Sequence, residues 1–249
     1  MSKTTGSGLL GVLFCLGLIW QNASAQSRSS SAVSYLVRAD QSLHDGAYER
    51  AIADYCLALQ FDPRSVHAYT NRGLARQASG KLNEAIADYD KALEIEPLNA
   101  NVYLNRGNAR SLQQLPDQAF ADYSAALAID PGSVKVFYNR ANLRFSQGDL
   151  GGALADLDLA LLGNRRYALA YNSRGVVRQR QGDLTGAVAD FSNAIKNNPE
   201  HAEAYANRGI ALLRLGRTAS GERDIARAIE LKPQLRSSIN RRVAEKSHQ

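Results

Sequence analysis

The sequence predicts an all-α solenoid of six antiparallel helix pairs closed by a C-terminal capping helix. Three observations predict it. The chain of 249 residues repeats a 34-residue pattern over 32–235. Small and aromatic residues recur inside that pattern at spacings of three and four, which is one face of a helix. In every copy an Arg is followed sixteen residues later by an Asp. A unit of this length cannot bury its apolar face alone, so successive units stack.

The elements follow in chain order. Residues 1–25 read as a signal peptide: one cation at Lys3, an apolar run from Leu9 to Trp20, then Ala23-Ser24-Ala25 before a cleavage point between Ala25 and Gln26. The run is about a dozen residues, short for a bilayer that takes about 20. After cleavage no stable transmembrane span is expected; retention as an anchor is the alternative. A lipoprotein site is disfavoured by the bulky Leu13-Phe14 before Cys15. The small-residue ending points to export into a bacterial envelope, hence the periplasm. The Ser-rich residues 26–31 are expected to form a flexible lead.

The repeats register as 32–65, 66–99, 100–133, 134–167, 168–201 and 202–235. Each opens with an aromatic at its fourth position (Tyr35, Tyr69, Tyr103, Phe137, Tyr171, Tyr205) and a small residue four later (Ala39, Gly73, Gly107, Ala141, Gly175, Gly209). A small residue there suits a helix whose neighbour approaches closely. Gly46, Gly80, Gly148, Gly182 and Gly216 then break the helix, supplying the positive φ of a turn. The third repeat has Gln114 at this place and Pro116 two residues on, a residue the first turn of a helix accepts.

The second helix of each repeat carries Ala51, Ala85, Ala119, Ala153, Ala187 or Gly221. Four residues later stands Tyr55, Tyr89, Tyr123, Leu157, Phe191 or Ile225, and three later an Ala in all six copies. These form one buried stripe. Pro63, Pro97, Pro131, Pro199 and Pro233 end the second helices, and Arg165 interrupts the series. The stretch Leu162-Gly163-Asn164-Arg165-Arg166 is therefore expected to be a kink or a flexible joint. Residues 236–249 are expected to be a capping helix and tail, with Ile239 and Val243 covering the last repeat and Arg241 and Lys246 meeting water.

With an aromatic at position 4, Gly/Ala at 8, Gly at 15, Ala at 20, an aromatic at 24, Ala at 27 and Pro at 32, the pattern resembles the tetratricopeptide repeat. The resemblance covers Ala32 to Leu235 in six registered copies. It implies a right-handed superhelix whose first helices line a concave groove, and a protein that binds peptides or other proteins there.

The recurrent pairs are Arg38 with Asp54, Arg72 with Asp88, Arg106 with Asp122, Arg140 with Asp156, Arg174 with Asp190 and Arg208 with Asp224. A guanidinium beside a buried stripe needs a carboxylate, because an unpaired buried charge is costly. They read as structural ion pairs, linking either the two helices of one repeat or one repeat to the next. A second Arg recurs at 76, 110, 144 and 178, placed either to share the same Asp or to form a basic groove edge.

The residue before the paired Arg reads Val37, Asn71, Asn105, Asn139, Ser173 and Asn207. One residue back is a turn of about 100°, off the interhelix seam. By resemblance this position faces the groove. An amide offers donor and acceptor together, so Asn71, Asn105, Asn139 and Asn207 read as a ladder for an extended peptide backbone; hydrogen bonding within the helix is the alternative. His67, Thr70, Gln77, Asn101, Asn108, Lys135, Tyr138, Asn142, Phe145, Asn172, Gln179 and Arg180 are expected to line the same groove. The family's carboxylate clamp is not reproduced: its first Lys site holds Thr70, Leu104 or Tyr138, and its Arg site holds Asn or Ser. This speaks against a chaperone-tail receptor.

Composition narrows function further. Loss of Lys3 leaves 29 cations against 24 acids, and ten of the cations face five acids from Glu203 onward. The C-terminal end is thus suited to an acidic partner or an anionic surface. Nucleic acid is not expected, since export argues against it. Cys56, alone after cleavage, cannot form an intrachain disulfide and reads as a small packed residue. The four His at 44, 67, 201 and 248 lack metal-ligand spacing, and no nucleophile elbow or phosphate loop is present. No cofactor, metal or catalytic residue is expected. The leading expectation is a non-catalytic scaffold that binds a protein or peptide in its groove. The alternative is an assembly component of an envelope complex using its outer face and basic end.

Overall fold

A computed structural model describes residues 30–244, and all regular structure among them is helical. The expected signal segment and residues 245–249 lie outside the described residues. Helix α1 spans 30–44, so Ser30 and Ser31, assigned above to the lead, are already helical. Then come α2 (Tyr48–Phe61), α3 (Val66–Ala78), α4 (Leu82–Ile95), α5 (Ala100–Leu112) and α6 (Pro116–Ile129). The chain divides into two compact units after Asp122, within α6. The second unit continues with α7 (Val134–Ser146), α8 (Leu150–Gly163), α9 (Ala168–Arg180), α10 (Leu184–Asn197), α11 (Ala202–Arg214) and α12 (Thr218–Leu231). A 3₁₀ turn at Pro233–Leu235 leads into α13 (Arg236–Ala244).

In the first unit, Tyr55 of α2 is buried among Ala39 of α1 and Ala68 and Ala75 of α3. Tyr89 of α4 is enclosed likewise with Val102 and Ala109 of α5. Each second helix is thus shared between its own first helix and the next one. The second unit repeats the scheme: Leu157 of α8 packs with Ala141 of α7 and with Ala170 and Val177 of α9. Every member of the predicted stripe is buried except Ile225, over which no further repeat lies among the described residues. Ile239 of α13 is buried against Ala206 and Ala228 in its place. Val243, expected to share that role, is 37% exposed.

Two glycine positions show why the pattern is strict. A Cβ on Gly73 would lie 2.6 Å from Cε1 of Tyr89, so the buried ring occupies the space a side chain would need. At Gly80, φ is +81°, and the N–H of Gly80 donates to Gln77 O at 3.1 Å while the N–H of Lys81 donates to Arg76 O at 2.8 Å. This closes the helix with a left-handed residue. Gln114 adopts the same conformation at φ 61°, with the N–H of Leu115 donating to Arg110 O at 3.0 Å. Pro116 then opens α6.

The predicted kink after α8 is not there. Asn164 has φ −142° and ψ 94°, against −141° and 94° for Asn198, which Pro199 follows. The reason is local. The Asn164 side chain accepts the N–H of Arg166 at 2.9 Å, as the Asn198 side chain accepts that of Glu200 at 3.1 Å. An Asx turn therefore sets the geometry without Pro. Gly163 belongs to the packing: a Cβ there would sit 2.7 Å from Val134 Cγ2.

The Arg/Asp pairs lie within repeats, so that alternative is settled by geometry. Nη2 of Arg38 donates to Oδ1 of Asp54 at 2.5 Å, that of Arg72 to Asp88 at 2.7 Å and that of Arg106 to Asp122 at 2.7 Å. The distance is 2.6 Å from Arg140 to Asp156 and from Arg174 to Asp190, and Arg208 Nε reaches Asp224 Oδ2 at 2.7 Å. All six Asp are buried. The second Arg shares the same carboxylate: Arg76 with Asp88 (2.6 Å), Arg110 with Asp122 (2.8 Å), Arg144 with Asp156 (3.1 Å) and Arg178 with Asp190 (2.8 Å). These four are not a basic groove edge.

The first pair corrects the expectation that both partners sit beside a buried stripe. Asp54 is buried, but the side chain of its partner Arg38 is 59% exposed, against 14% for Arg72. The cause is position: no repeat among the described residues precedes α1, so nothing covers the outer side of Arg38. Asp54 also lacks the second Arg, because buried Ser42 stands where the next four repeats carry one. One guanidinium, through Nε and Nη2, therefore satisfies Asp54. This pair closes the N-terminal repeat as a half-open copy of the inner ones.

The remaining Nη1 of the paired Arg reaches the preceding repeat, sixteen residues earlier. It donates to Cys56 Sγ from Arg72 (3.1 Å), to Asp90 from Arg106 (2.6 Å), to Asp158 from Arg174 (2.7 Å) and to Ser192 Oγ from Arg208 (3.2 Å). Cys56, read above as a packed apolar residue, is half-buried and serves as an acceptor. The guanidinium also stands 5.1–5.8 Å from the centroid of the aromatic three residues earlier in all six copies. The bond to Asp224 pushes the Arg208 guanidinium above its ordinary range despite partial burial.

Two outcomes follow for stability. Gly73→Ala forces Tyr89 out of its place and should cost about 1–3 kcal/mol, read from the urea midpoint. Gln114→Gly removes the strain of a left-handed non-glycine residue, about 1–2 kcal/mol, partly offset by backbone entropy. It should raise the stability read from that midpoint by about 0.5–1 kcal/mol.

Candidate functional site

The lattice of ion pairs turns one side of each first helix into the seam and leaves the residue one step back, about 100° away, on the adjoining face. That face carries the amides singled out by sequence. Asn71 is half-buried, and its Nδ2 donates to Asp40 Oδ1 at 3.1 Å and lies 3.2 Å from His67 Nε2. Asp40 also accepts the Tyr55 hydroxyl at 2.5 Å, and His67 Nε2 lies 3.0 Å from both its oxygens. Burial, then the bond to Asp40, holds the Tyr55 hydroxyl well above its ordinary range, so it stays protonated and donates. Asp40 was not singled out by the sequence reading. Its signal is positional: it occupies the place in its repeat that Asn108 and Asn142 occupy in theirs.

Asn105 is half-buried and makes no side-chain hydrogen bond among the described residues. Asn108 and Asn139 are half-buried, and Asn142 is exposed. The Tyr138 ring stands 5.2 Å from that of Tyr167, tilted by 55°. Asn207 is different. It is 7% exposed, donates through Nδ2 to Asn172 Oδ1 at 3.0 Å and accepts from Arg242 Nη2 at 3.0 Å. Sequence placed it in a peptide ladder, but α13 lays Arg242 over it and engages the other end of its amide. It seats the capping helix instead.

That arrangement builds a cavity of about 350 Å³ on the first-helix side of the second unit. Phe145 of α7, Val176, Gln179 and Arg180 of α9, Arg214 of α11 and Arg242 of α13 line it. Gln179 Oε1 and Arg214 Nε are buried there without a hydrogen-bond partner. Of the groove residues foreseen, Phe145, Gln179 and Arg180 line this cavity. No group of His, Cys, Asp and Glu among the described residues could hold a metal ion. No described helix is long and apolar enough to cross a membrane.

Comparison with known proteins agrees with this architecture. Residues 77–114 match the family described as TPR repeat, and residues 172–235 that described as Tetratricopeptide repeat. No curated protein matches the chain. Among solved structures it is similar to Pseudomonas aeruginosa pilF (19% identity, covering 89% of this chain and 99% of that one, TM-score 0.72). It is similar to PilW, a widely conserved type IV pilus biogenesis factor (20%, 86% and 97%, TM-score 0.70). A third is YrrB, a TPR protein with an unusual peptide-binding site (23%, 72% and 92%, TM-score 0.56). These identities speak to fold alone. The chain thus carries tetratricopeptide repeats at 77–114 and 172–235 and has the fold of a tetratricopeptide repeat protein.

Proposed function

We propose that the protein is a non-catalytic scaffold that holds a peptide or protein segment along the face of its first helices. Asn105 carries the reading: a half-buried amide on that face that the fold itself does not use. Such a group pairs with the C=O and N–H of an extended chain whatever its sequence. Asn142, exposed on α7, offers the same chemistry, whereas Asn71 and Asn207 are bonded within the chain and serve the fold. The similar fold of YrrB, described as having a peptide-binding site, supports the class of ligand.

The leader pattern supports export to the periplasm, and the C-terminal excess of cations supports an acidic partner. The outer-face reading, an envelope assembly component acting through the basic end, is less well supported. Arg242, one of the cations it relies on, turns toward Asn207 on the first-helix side.

The test is capture of a partner from an envelope extract by the full chain and by a variant carrying Asn105→Ala and Asn142→Ala. Loss of two amide contacts at about 1 kcal/mol each should lower recovery about tenfold or more, with the thermal midpoint nearly unchanged. Undiminished recovery would remove these amides from the site.

A further inference from the structure

We propose that the corner where the end of α8 meets the starts of α7 and α9 docks the protein onto an anionic lipid surface. The inference lies away from the amides of the first helices and does not depend on the peptide-binding reading.

The outer face of α8 is the first argument. Leu159 and Leu162 are one turn apart, hence on one face, and both are exposed, Leu162 by 70%. The same two places hold the ion pair Lys91–Glu94 in the second repeat (2.7 Å) and Arg227–Glu230 in the sixth (2.8 Å), both turned to water. No other repeat sets two large apolar residues there. Leu169, in the first turn of α9, adds a third exposed apolar side chain. Apolar groups left in water together, where other copies carry charge, mark a contact surface.

Charge is the second. The connection after α8 brings Arg165 and Arg166, the first of them where the other five repeats have Pro. Because Asn164 sets this turn, Pro is not required and the place is open to a cation. Lys135 stands at the start of α7, next to Val134, against which Gly163 packs. The Tyr167 ring beside that of Tyr138 brings the start of α9 to the same corner. Lys135, Arg165 and Arg166 are exposed, and none has a side-chain partner among the described residues. Helices α7 and α9 contain no acid. In the second half of α8, Asp156 is buried against Arg140 and Arg144, and Asp158 is bonded to Arg174 at 2.7 Å. Only Asp130, in the connection before α7, adds a carboxylate without an ion pair, and its Oδ1 accepts the Gly132 N–H at 3.2 Å. The corner is therefore cationic around its apolar side chains.

This combination selects the occupant. A second copy docked corner to corner would set like charges against each other. An anionic lipid surface takes both features at once: headgroups receive the cations, and the acyl boundary receives the Leu side chains. Tyrosine, with an apolar ring and a polar tip, suits the same boundary. Such a surface needs no matching pocket, so side chains standing out from a helix suffice.

The sole Trp of the chain is Trp20, which makes a direct test possible. A full-length variant with Trp20→Phe and Leu162→Trp carries its only indole at this corner, so lipid binding by the leader segment alone does not move the signal. It is mixed with vesicles of phosphatidylcholine containing phosphatidylglycerol, or of phosphatidylcholine alone, each with brominated acyl chains. On the anionic vesicles the emission should shift to the blue and be quenched at least about twofold, less so as salt is added, and it should not change on the neutral ones. Adding Arg165→Glu and Arg166→Glu should abolish the quenching with the urea midpoint unchanged, whereas Arg241→Glu should leave it intact. Absence of quenching on anionic vesicles would overturn the docking surface, even if the chain sediments with them. Quenching that survives the Arg165 and Arg166 changes, or is lost with Arg241→Glu, would overturn it as well. A blue shift that grows with protein concentration in the absence of lipid would assign the corner to a second copy and overturn the lipid reading.

Discussion

A carboxylate buried at the seam of every repeat governs where the helices go. Asp88 is 3% exposed at its side chain and is met by both Arg72 and Arg76 of the preceding helix. Without those partners its desolvation would oppose folding; with them it fixes the distance and angle between the two helices. The same Arg72 stands near the Tyr69 ring, and its Nη1 donates to Cys56 Sγ of the previous repeat. One guanidinium thus ties three pieces of chain together: its own ring, its own second helix and the unit before it. The small residue next to it then follows from sterics, because helices held this close leave no room for a Cβ at Gly73.

This seam also explains which side chains lie on the adjoining face of the first helices. With the Arg side of each first helix committed to Asp, the side chain one step back is turned away from the seam. Whether it is free depends on its neighbours. Asp40 of the first repeat captures Asn71, and at the sixth α13 captures Asn207. Where no such neighbour intervenes, as at Asn105, the amide stays available. Asn71 and Asn207 are therefore engaged within the chain, and the docking of α13 also brings Arg242 to the cavity beside Gln179.

Much of this was legible in the sequence because it is repeated. Ala51, Tyr55 and Ala58 are one weak pattern; six copies in register fix the helices, and the sixteen-residue interval fixes the ion pairs. What varies between copies was not legible. Asp54 looks like the other five Asp in sequence, yet its Arg38 partner stays exposed because burial of that position depends on a preceding repeat. The inter-repeat acceptor is Cys56, Asp90, Asp158 or Ser192, and that chemical variety hides a shared position. Gln114 takes a left-handed turn against its own preference because the turn is set by the helices it joins. Arg165 reads as a break when Pro is taken as the cause of the turn, whereas Asn164 sets it. Asn207 and Arg242 are 35 residues apart, and only the folded chain brings them together. The cavity was legible in part: Phe145, Gln179 and Arg180 are among the residues the sequence places in the groove, and Arg214 holds the repeat position of Arg180.

The most direct test of this account is a double-mutant cycle on Arg72→Ala and Asp88→Ala, followed by urea unfolding. Removal of Asp88 alone should cost about 3–5 kcal/mol, because two guanidinium groups lose their carboxylate. The coupling between the two positions should be about 2–3 kcal/mol, near the upper end for contacting residues. A coupling below about 0.5 kcal/mol, the level of independent sites, would contradict the claim that this ion pair holds the helices in place.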